Sequence, residues 1–422
     1  MYVVDGQTGK VVFEKNSQVG LAAASCQKVV TSAAAFEFLG KSFVYKTQFA
    51  YSGEVKDGVL NGAVFLRGAG DPTLGSWRWK ATKEHVVFEK LKQALAAKGI
   101  RKVTGNVYTL NEDWDTNIIP DGWTWEDMGN YYGAGATALN WRENQYDIVL
   151  KSGNLPGDKV TLVKTEPKPA GVWLVNELRT AKQGSGDNAY VYLPPYAAKG
   201  FIRGTIPARE NNFVISGSFP DPEQQAISSI RTALQKDLIL PVGEAGKSLE
   251  KTNAPSGPLT TLEFLQSPTL DSMNYWFLKK SINLYGEAFV KTIAYEKKKY
   301  GSSDSGIALI RDFWSKRGID KSSLKIIDGS GLSPANRVTA QALVTVMQYA
   351  KSQPWYQSFY FSLPEMNGIK MKDGYIGGVR SYTGYARSSS GKEYIFSFIV
   401  NNFDGSAGTV REKMWKVLDL LK

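Results

Sequence analysis

The pattern of apolar and polar positions predicts a hairpin followed by a helix at the start of the chain. The segments Tyr2–Val4 and Lys10–Glu14 flank the turn Asp5–Gly9, as in a β-hairpin. Apolar residues then recur every three or four positions through Leu21–Leu39, which predicts a helix. Gly40 supplies the helix stop.

The middle of the chain is predicted to be rich in strands. Residues 46–75 and the stretch Asp147–Phe219 have the composition of short strands, and an amphipathic helix at Lys83–Ala97 lies between them. The segment Gly217–Pro222 is a good domain boundary, because helical periodicity resumes directly after it at Glu223–Lys236.

The C-terminal third is predicted to be mostly helical, with one hairpin near its end. The predicted helices are Asp271–Ile282, Glu287–Glu296, Ser305–Arg317, Thr339–Ala350 and Ala407–Leu421. Arg380–Arg387 and Glu393–Asn401 are two strands joined by a short turn. Chain ends often lie close together, so we expect the N-terminal and C-terminal hairpins to share one sheet. The middle would then be an insertion into a discontinuous domain.

The composition narrows the chemistry that the chain can use. The 422 residues include 51 Lys and Arg, 40 Asp and Glu, one histidine (His85) and one cysteine (Cys26), with a net charge of +11. A zinc site built from Cys and His needs several such ligands and is excluded, and one thiol cannot form an internal disulfide. No Asp-x-Asp-x-Asp-Gly loop supports a calcium site. We therefore expect no metal and no cofactor.

Charge and hydropathy also bear on the partners of the chain. A positive balance suits anionic surroundings such as a cell wall, but aromatic residues are spread over the whole chain, so we do not expect nucleic acid binding. No run approaches 18 apolar residues, which predicts no transmembrane segment. Met1 leads straight into a strand, so we expect that a targeting segment preceding it has been lost.

Three familiar catalytic or nucleotide motifs fail on inspection. Gly243–Ser248 resembles a phosphate-binding loop, but its glycines are too close together and Pro241 stands where glycine is needed. Gly133–Ala138 matches a dinucleotide fingerprint but follows no clear strand. A Ser-His-Asp triad would have to use His85, which lies in the charged helix Lys83–Ala97 and is expected to be exposed or half-buried there.

A hydrolase without a usable histidine needs another base, and lysine can serve if its amine is neutral. Ser25 and Lys28 are three residues apart, which puts them on one helix face. Ser25 would also lie in the first helical turn, where free N–H groups favour an oxyanion. The same spacing occurs at Ser322–Lys325 and Ser389–Lys392, in a loop and a hairpin turn. Spacing alone leaves open that Ser25 is an N-cap and Lys28 a surface charge.

Several sequence blocks together carry a resemblance to a known family. After Ser25-Cys26-Gln27-Lys28 they are Gly68–Leu74, Gly122–Asp127, Tyr131–Ala134, Arg203–Pro207, Ser281–Glu287, Asp328–Ser333, Lys372–Tyr375 and Phe398–Asn402. This order is similar to that of the class C low-molecular-mass penicillin-binding proteins. These are D-alanyl-D-alanine carboxypeptidases/endopeptidases of the PBP4 type, peptidase family S13, and the resemblance covers nearly the whole chain.

The resemblance implies a role for each residue of three motifs. Ser25 would be the acylated nucleophile and Lys28 its base. Ser-x-Asn also occurs at Ser152–Asn154 and Ser272–Asn274, but only Ser281–Asn283 is followed by the Asn-Leu-Tyr-x-Glu of the family. Ser281 would pass the proton to the leaving amine, and Asn283 would hold the substrate amide and Lys28.

The resemblance also implies the residues that bind the substrate. Lys372 would begin the strand beside the active site, keep Lys28 neutral and attract the terminal carboxylate of the substrate. Backbone N–H groups of Ser25 and Tyr375 would form the oxyanion hole. Asp373 and Gly374 follow Lys372 and complete the third motif of the family, where they would contribute to binding the substrate. Trp125, Glu126 and Asp127 would receive the free amine of a stem peptide, unless they form an aromatic mini-core of the insert.

The fold implied by the resemblance is α+β. A penicillin-binding-protein/serine β-lactamase-like transpeptidase domain, with an antiparallel sheet and helices, would comprise residues 1–47 and 222–422. Two nested β-rich inserted domains would comprise residues 48–75 with 152–221, and residues 76–151. We expect peptidoglycan stem peptides as partners, β-lactam antibiotics as covalent inhibitors and a location in the cell envelope, periplasmic or extracytoplasmic.

Two departures from the family concern substrate handling. The third motif is normally Lys-Thr-Gly, and Asp373 replaces its threonine. An aspartate there would repel a substrate carboxylate unless it were protonated or paired with a cation, for which Arg380 and Arg387 are candidates. Pro334 stands where arginine usually follows Gly331–Ser333, with Arg337 three residues on.

Three functions remain: a serine D,D-peptidase, an acyl-serine hydrolase of another amide or ester such as a β-lactam, or a degenerate wall-binding homologue.

Overall fold

A computed structural model of the chain describes residues 1–237, 239–240 and 257–422. The segment Gly243–Ser248, which was compared above with a phosphate-binding loop, lies outside the described residues. The described chain forms two compact units: the first comprises Met1–Phe43, Pro120–Trp123 and Thr269–Lys422, and the second comprises Val44–Ile119 and Thr124–Pro268.

The described strands and α-helices are numbered in chain order. The strands are β1 (Tyr2–Asp5), β2 (Val11–Glu14), β3 (Lys46–Lys56), β4 (Val59–Arg67), β5 (Lys102–Val103), β6 (Val107–Leu110), β7 (Gln145–Lys151), β8 (Thr161–Glu166), β9 (Trp173–Asn176), β10 (Arg179–Ala181), β11 (Asn188–Tyr192), β12 (Lys199–Pro207), β13 (Phe213–Ser218), β14 (Thr260–Gln266), β15 (Leu324–Lys325), β16 (Arg337–Val338), β17 (Glu365–Met366), β18 (Ile369–Ile376), β19 (Val379–Arg387) and β20 (Glu393–Asn401). The helices are α1 (Lys28–Leu39), α2 (Glu84–Ala97), α3 (Trp125–Met128), α4 (Pro222–Lys236), α5 (Leu270–Lys279), α6 (Asn283–Lys298), α7 (Ser303–Ser315), α8 (Ala340–Lys351), α9 (Tyr356–Ser362) and α10 (Ala407–Leu418).

The first unit is built on a six-stranded sheet in the order β17-β18-β19-β20-β1-β2. Strand β1 pairs antiparallel with β20, with Tyr2 opposite Ser397, so the predicted sharing of one sheet by the two hairpins is confirmed. Apolar side chains of the sheet, including Phe396, form a core with Met414 and Leu418 of α10. This core fixes the C-terminal helix on one face of the sheet.

Helix α1 is the central helix of the first unit. It is buried from Lys28 to Phe36 on every side, and it contacts α5, α6, α7 and α8. A helix that is apolar all round belongs in a core, which agrees with its run of Val and Ala. It ends before Gly40, whose φ of +84° is a conformation that glycine adopts easily, as the sequence predicted. Lys28 is therefore an ionisable residue at the start of a buried and mostly apolar helix.

Two large apolar clusters lie in the described part of the second unit. One lies between helices α2 and α4 and the sheet β14-β3-β4-β5, in which β6 also pairs with β4. The other joins the sheet β13-β7-β8 to the sheet of β9–β12. None of the helices in the described parts of the chain has the length and apolar character needed to cross a membrane.

The compact units differ from the predicted domain boundaries in helix α4, in strand β14 and in Pro120–Trp123, which belongs to the first unit. Helix α4 and strand β14 belong to the second unit, because α4 buries Ile230 and Leu234 in the first of the two clusters and β14 pairs with β3. Strand β4 pairs in parallel with β6, with α2 as the crossover, which joins residues predicted to lie in different inserts. The division into two nested inserts stays a prediction.

Candidate active site

Ser25 lies at the entrance to the central helix. It belongs to a 3₁₀ turn, Ala24–Gln27, that runs directly into α1, so the predicted helical turn is of the tighter kind. Ala24 has a φ of +44°, an uncommon conformation for a residue with a side chain. Ser25 is partly exposed, whereas Ala24 and Cys26 are buried. The local backbone thus presents one hydroxyl from an otherwise buried turn.

Lys28 is fully buried, and its amine has three polar neighbours. Nζ lies 2.8 Å from Ser25 Oγ, 2.6 Å from Asn283 Oδ1 and 2.8 Å from the carbonyl oxygen of Ser330. An amide oxygen and a carbonyl oxygen can only accept, so they take two N–H groups. A neutral amine then has its lone pair left for the Ser25 hydroxyl, which can donate to it. The geometry suits a base that removes the proton of Ser25.

The surroundings of Lys28 favour the neutral amine. Burial, together with the positive charge of Lys372, lowers the pKa of Lys28 to about 7. The carboxyl groups of Asp328 and Glu287 act in the opposite direction. Lys28 is not the surface charge that its spacing alone allowed.

Asn283 is the first residue of α6, and its side chain turns to the lysine. The N-cap is Ile282, which makes no side-chain cap, so Asn283 does not serve the helix terminus as Asn often does. Ser281 precedes it with a φ of +58° and is partly exposed. The structure brings Asn283 into contact with Lys28, and the part of Ser281 in the reaction stays a prediction.

The competing Ser-x-Asn segments have other partners. Asn274 is buried on α5, where it accepts a hydrogen bond from Ser32 at 2.6 Å and donates to Ser362 at 3.4 Å. Ser152 lies in the second unit and accepts a hydrogen bond from the backbone N–H of Glu210 at 2.9 Å. Both segments stabilise local structure.

Strand β18 lies against the turn that carries Ser25. The Cys26 thiol donates to the carbonyl oxygen of Lys372 at 3.0 Å. A Cβ added to Gly374 would lie 2.4 Å from the carbonyl oxygen of Ala23, so only glycine lets the strand approach this closely. Lys372 is the fourth residue of β18 rather than its first, because Ile369 and Met371 are already buried in the sheet and β17 extends the pairing.

Asp373 is paired with its neighbour Lys372. The ammonium lies 2.9 Å from Asp373 Oδ1 and 2.8 Å from the Asp373 carbonyl oxygen. Burial opposes ionisation of Asp373, but Lys372, and also Arg380, hold the pKa of this carboxyl below its usual value. Arg387 is at the far end of β19. The cation paired with Asp373 is thus the lysine of the same motif.

Asp328 organises the loop that faces Lys28, and the sequence analysis gave it no role. Its carboxylate is fully buried and accepts five hydrogen bonds. The donors are Gln27 Nε2, Trp123 Nε1, Asn336 Nδ2 and the backbone N–H groups of Gly331 and Ser333, at 2.7–3.0 Å. This network fixes the segment whose Ser330 carbonyl contacts Lys28. The block Asp328–Ser333 was visible in the sequence, but only as a landmark.

Glu287 is a second buried carboxyl that the sequence analysis did not assign. Burial and the nearby charge of Asp328 raise its pKa to about 8, so it is largely protonated at neutral pH. It accepts a hydrogen bond from the Gly329 N–H at 2.9 Å. The sequence signal that could have indicated a buried carboxyl was a single acidic residue within the mostly apolar first half of α6.

The remaining predicted site residues lie on strand β18 and in helix α3. Tyr375 lies on β18 opposite Arg380, with its side chain 54% exposed. Trp125, Glu126 and Asp127 lie in α3 of the second unit. There the Trp125 ring packs near Tyr192, at 5.8 Å between centroids, and Asp127 accepts a hydrogen bond from the Thr124 hydroxyl. His85 is exposed on α2, as predicted.

Comparisons with known proteins identify the family to which the chain is similar. The model of the D-Ala-D-Ala carboxypeptidase 3 (S13) family matches residues 1–420. The chain is 28% identical to a D-alanyl-D-alanine carboxypeptidase of Actinomadura sp. (strain R39), over 96% of this chain and 78% of that protein. It is 22% identical to the D-alanyl-D-alanine carboxypeptidase DacB of Haemophilus influenzae, over 96% of this chain and 85% of that protein.

A solved structure has the same fold. The crystal structure of penicillin-binding protein 4 from Haemophilus influenzae superimposes with a TM-score of 0.82 at 20% identity, covering 99% of this chain and 95% of that one. The predicted fold class, an α+β penicillin-binding-protein-like architecture with additional domains, is confirmed.

Proposed function

The chain belongs to the D-Ala-D-Ala carboxypeptidase 3 (S13) family, and on that premise we propose that Ser25 is the residue acylated by peptidoglycan stem peptides. The observation that carries the proposal is the position of the Lys28 amine, 2.8 Å from Ser25 Oγ with acceptors on its other sides. A neutral lysine in this place can act as the base that histidine supplies in other serine hydrolases.

Acylation would follow from this pair. Lys28 Nζ takes the proton of Ser25, the Oγ bonds to the carbonyl carbon of the penultimate D-alanine, and the scissile C–N bond then breaks. Ser281 would relay the proton from Lys28 to the departing amine. In the second half, water adds to the ester carbon, the Oγ–carbon bond breaks and the proton returns to Ser25.

The oxyanion would be stabilised by the backbone N–H groups of Ser25 and Tyr375. One such donor typically contributes about 10²–10³ in rate. Asn283 would hold the substrate amide while its oxygen fixes Lys28. Burial keeps the pKa of Lys28 low, and the charge of Lys372 would support the reaction by adding to this effect.

The substrate side of the proposal includes two reactions. A carboxypeptidase releases terminal D-alanine, and an endopeptidase opens D-Ala–diaminopimelate crosslinks. Trp125, with Glu126 or Asp127, would receive the free amine of the stem peptide. Crosslinked stem peptides are part of the cell wall, so the protein would act in the envelope, on the periplasmic or extracytoplasmic side. β-Lactams would acylate the same serine.

Intact mass spectrometry after incubation with benzylpenicillin tests the assignment of Ser25. We expect one covalent adduct on the wild type and none on Ser25→Ala. Absence of the adduct from the wild type would favour the degenerate wall-binding homologue. Release of D-alanine from an acyl-D-Ala-D-Ala peptide separates the D,D-peptidase from a hydrolase of another amide or ester, which would form the adduct but leave the peptide intact.

A further inference from the structure

The chemistry of the substrate brings a carboxylate close to the reacting serine. In an acyl-D-Ala-D-Ala peptide the terminal carboxyl carbon is only three bonds from the carbonyl carbon that Ser25 would attack. Any charged side chain on the elements around Ser25 therefore acts on this carboxylate. Like charges in a partly dry site repel strongly, so the sign of the nearest charge affects which leaving group is accepted.

Strand β18 supplies the charges on that side. Its residues 372–374 lie against the turn of Ser25 through the bond from the Cys26 thiol to the Lys372 carbonyl and the close approach of Gly374. The charges of Lys372 and Asp373 both act on the pKa of Lys28, in opposite directions.

The accessible part of this charge pair is the negative one. The Lys372 side chain is 1% exposed, whereas that of Asp373 is 32% exposed, and the ammonium is bonded to both the carboxylate and the carbonyl oxygen of Asp373. An incoming carboxylate would therefore meet the Asp373 oxygens before it reached the ammonium. The attraction of the Lys372 charge for a substrate carboxylate is thus offset by the negative charge of Asp373.

The neighbouring arginine is also engaged. The Arg380 guanidinium lies 5.5 Å from the ring centres of both Tyr375 and Tyr382, and its Nε donates to the Tyr382 hydroxyl at 3.1 Å. Stacking and this hydrogen bond hold the guanidinium on the side of the sheet where Asp373 and Tyr375 lie.

We propose that Asp373 is a specificity-determining residue that selects a leaving group with a neutral, amidated carboxyl over one with a free carboxylate. A carboxamide carries no charge for Asp373 to repel, and its N–H groups can donate to the exposed carboxylate. The inference rests on the proposed acyl-serine function and specifies the substrate class for it.

A pair of peptides that differ only at the C-terminus tests this inference. One is N-acyl-L-Lys-D-Ala-D-Ala and the other is its C-terminal carboxamide, and kcat/KM is measured from the release of D-alanine or D-alaninamide. We expect the wild type to prefer the amide by about tenfold or more. Asp373→Thr and Asp373→Asn should shift the ratio at least tenfold towards the acid. Asp404→Asn, a change at an exposed position, should leave it unchanged.

Labelling with benzylpenicillin on the same samples separates the two proposals and shows that each variant is folded. A wild type that is labelled but prefers the free acid, or cleaves neither peptide, overturns the role of Asp373 and leaves Ser25 as the nucleophile. The same holds if labelled Asp373→Thr keeps the wild-type ratio. A wild type that is neither labelled nor active on either peptide overturns the proposed function and this inference together.

Discussion

Lys28 and Asn283 are 255 residues apart in the chain, yet Lys28 Nζ lies 2.6 Å from Asn283 Oδ1. This contact joins the start of the central helix α1 to the start of α6. It orients the amine so that its third polar neighbour is the Ser25 hydroxyl. The protonation state of Lys28 should therefore control acylation.

The pH dependence of acylation provides a direct measure of this control. The pKa of Lys28 is lowered to about 7, so the amine is charged and inactive below that pH and neutral above it. We expect the rate of labelling by a fluorescent penicillin to rise with pH, with a midpoint near 7. Lys28→Arg, whose guanidinium stays protonated, should show no labelling. A rate that does not change between about pH 6 and 8 would contradict the role of Lys28.

Asn283→Asp should move that midpoint. The substitution places a carboxylate where the amide oxygen now lies 2.6 Å from Nζ. A close opposite charge raises the pKa of a lysine by about 1–3 units, so labelling at pH 7 should fall about fivefold or more and recover at higher pH. Asn16→Asp makes the same change of charge at an exposed position and is the control. An unshifted midpoint would show that the contact does not govern the base.

Much of the fold and the chemical pair at its centre could be predicted from the sequence. The spacing of apolar residues predicted helix α1, because the helix is buried and its own side chains are mostly apolar. Gly40 marked its end. The hairpins at the two chain ends were correctly predicted to share a sheet. Spacing placed Ser25 and Lys28 on one helix face, which their contact at 2.8 Å agrees with. Their predicted roles came from the resemblance to the family, because the spacing alone occurs at two other places in the chain.

The buried acidic residues behind the site could not be predicted in the same way. The Asp328 carboxylate is bonded to Gln27, 301 residues away, and to Trp123, 205 residues away. Such contacts depend on tertiary packing and have no period. The pairing of β4 with β6 crosses the predicted boundary between the two inserts. It was not predicted, because two parallel strands joined by a crossover have no hairpin turn in the sequence.

Glu287→Gln should flatten the pH dependence of stability. The folded pKa of Glu287, about 8, exceeds the value of about 4.3 expected in the unfolded chain. Between these values the folded state binds more protons, so this group makes the free energy of unfolding fall as pH rises. The slope is at most about 1.4 kcal/mol per pH unit. Urea unfolding at pH 5 and 8 should show Glu287→Gln gaining on the wild type at the higher pH, and an equal change in both proteins would exclude this.

Asp328→Asn should weaken the loop that contacts Lys28. The new NH₂ group would face donors that now bond to the carboxylate, including the N–H groups of Gly331 and Ser333. Unsatisfied buried donors cost about 1–3 kcal/mol, so we expect a loss of that size in the free energy of unfolding and slower penicillin labelling. Asp404→Asn, at an exposed position, should change stability by less than about 0.5 kcal/mol. Equal stability of the two variants would show that the network contributes little.

The approach of β18 to the nucleophile can be tested with two glycines of one hairpin. A Cβ at Gly374 would lie 2.4 Å from both the Ala23 carbonyl oxygen and Ser381 Oγ, whereas a Cβ at Gly377 meets no heavy atom within 4 Å. Gly374→Ala must therefore push the strand from the turn of Ser25, at a cost of about 1–3 kcal/mol in stability. Penicillin labelling should fall at least tenfold in Gly374→Ala and stay unchanged in Gly377→Ala. If both variants label at the wild-type rate, acylation does not require the close contact of strand and turn, and the Tyr375 N–H loses its place in the oxyanion hole.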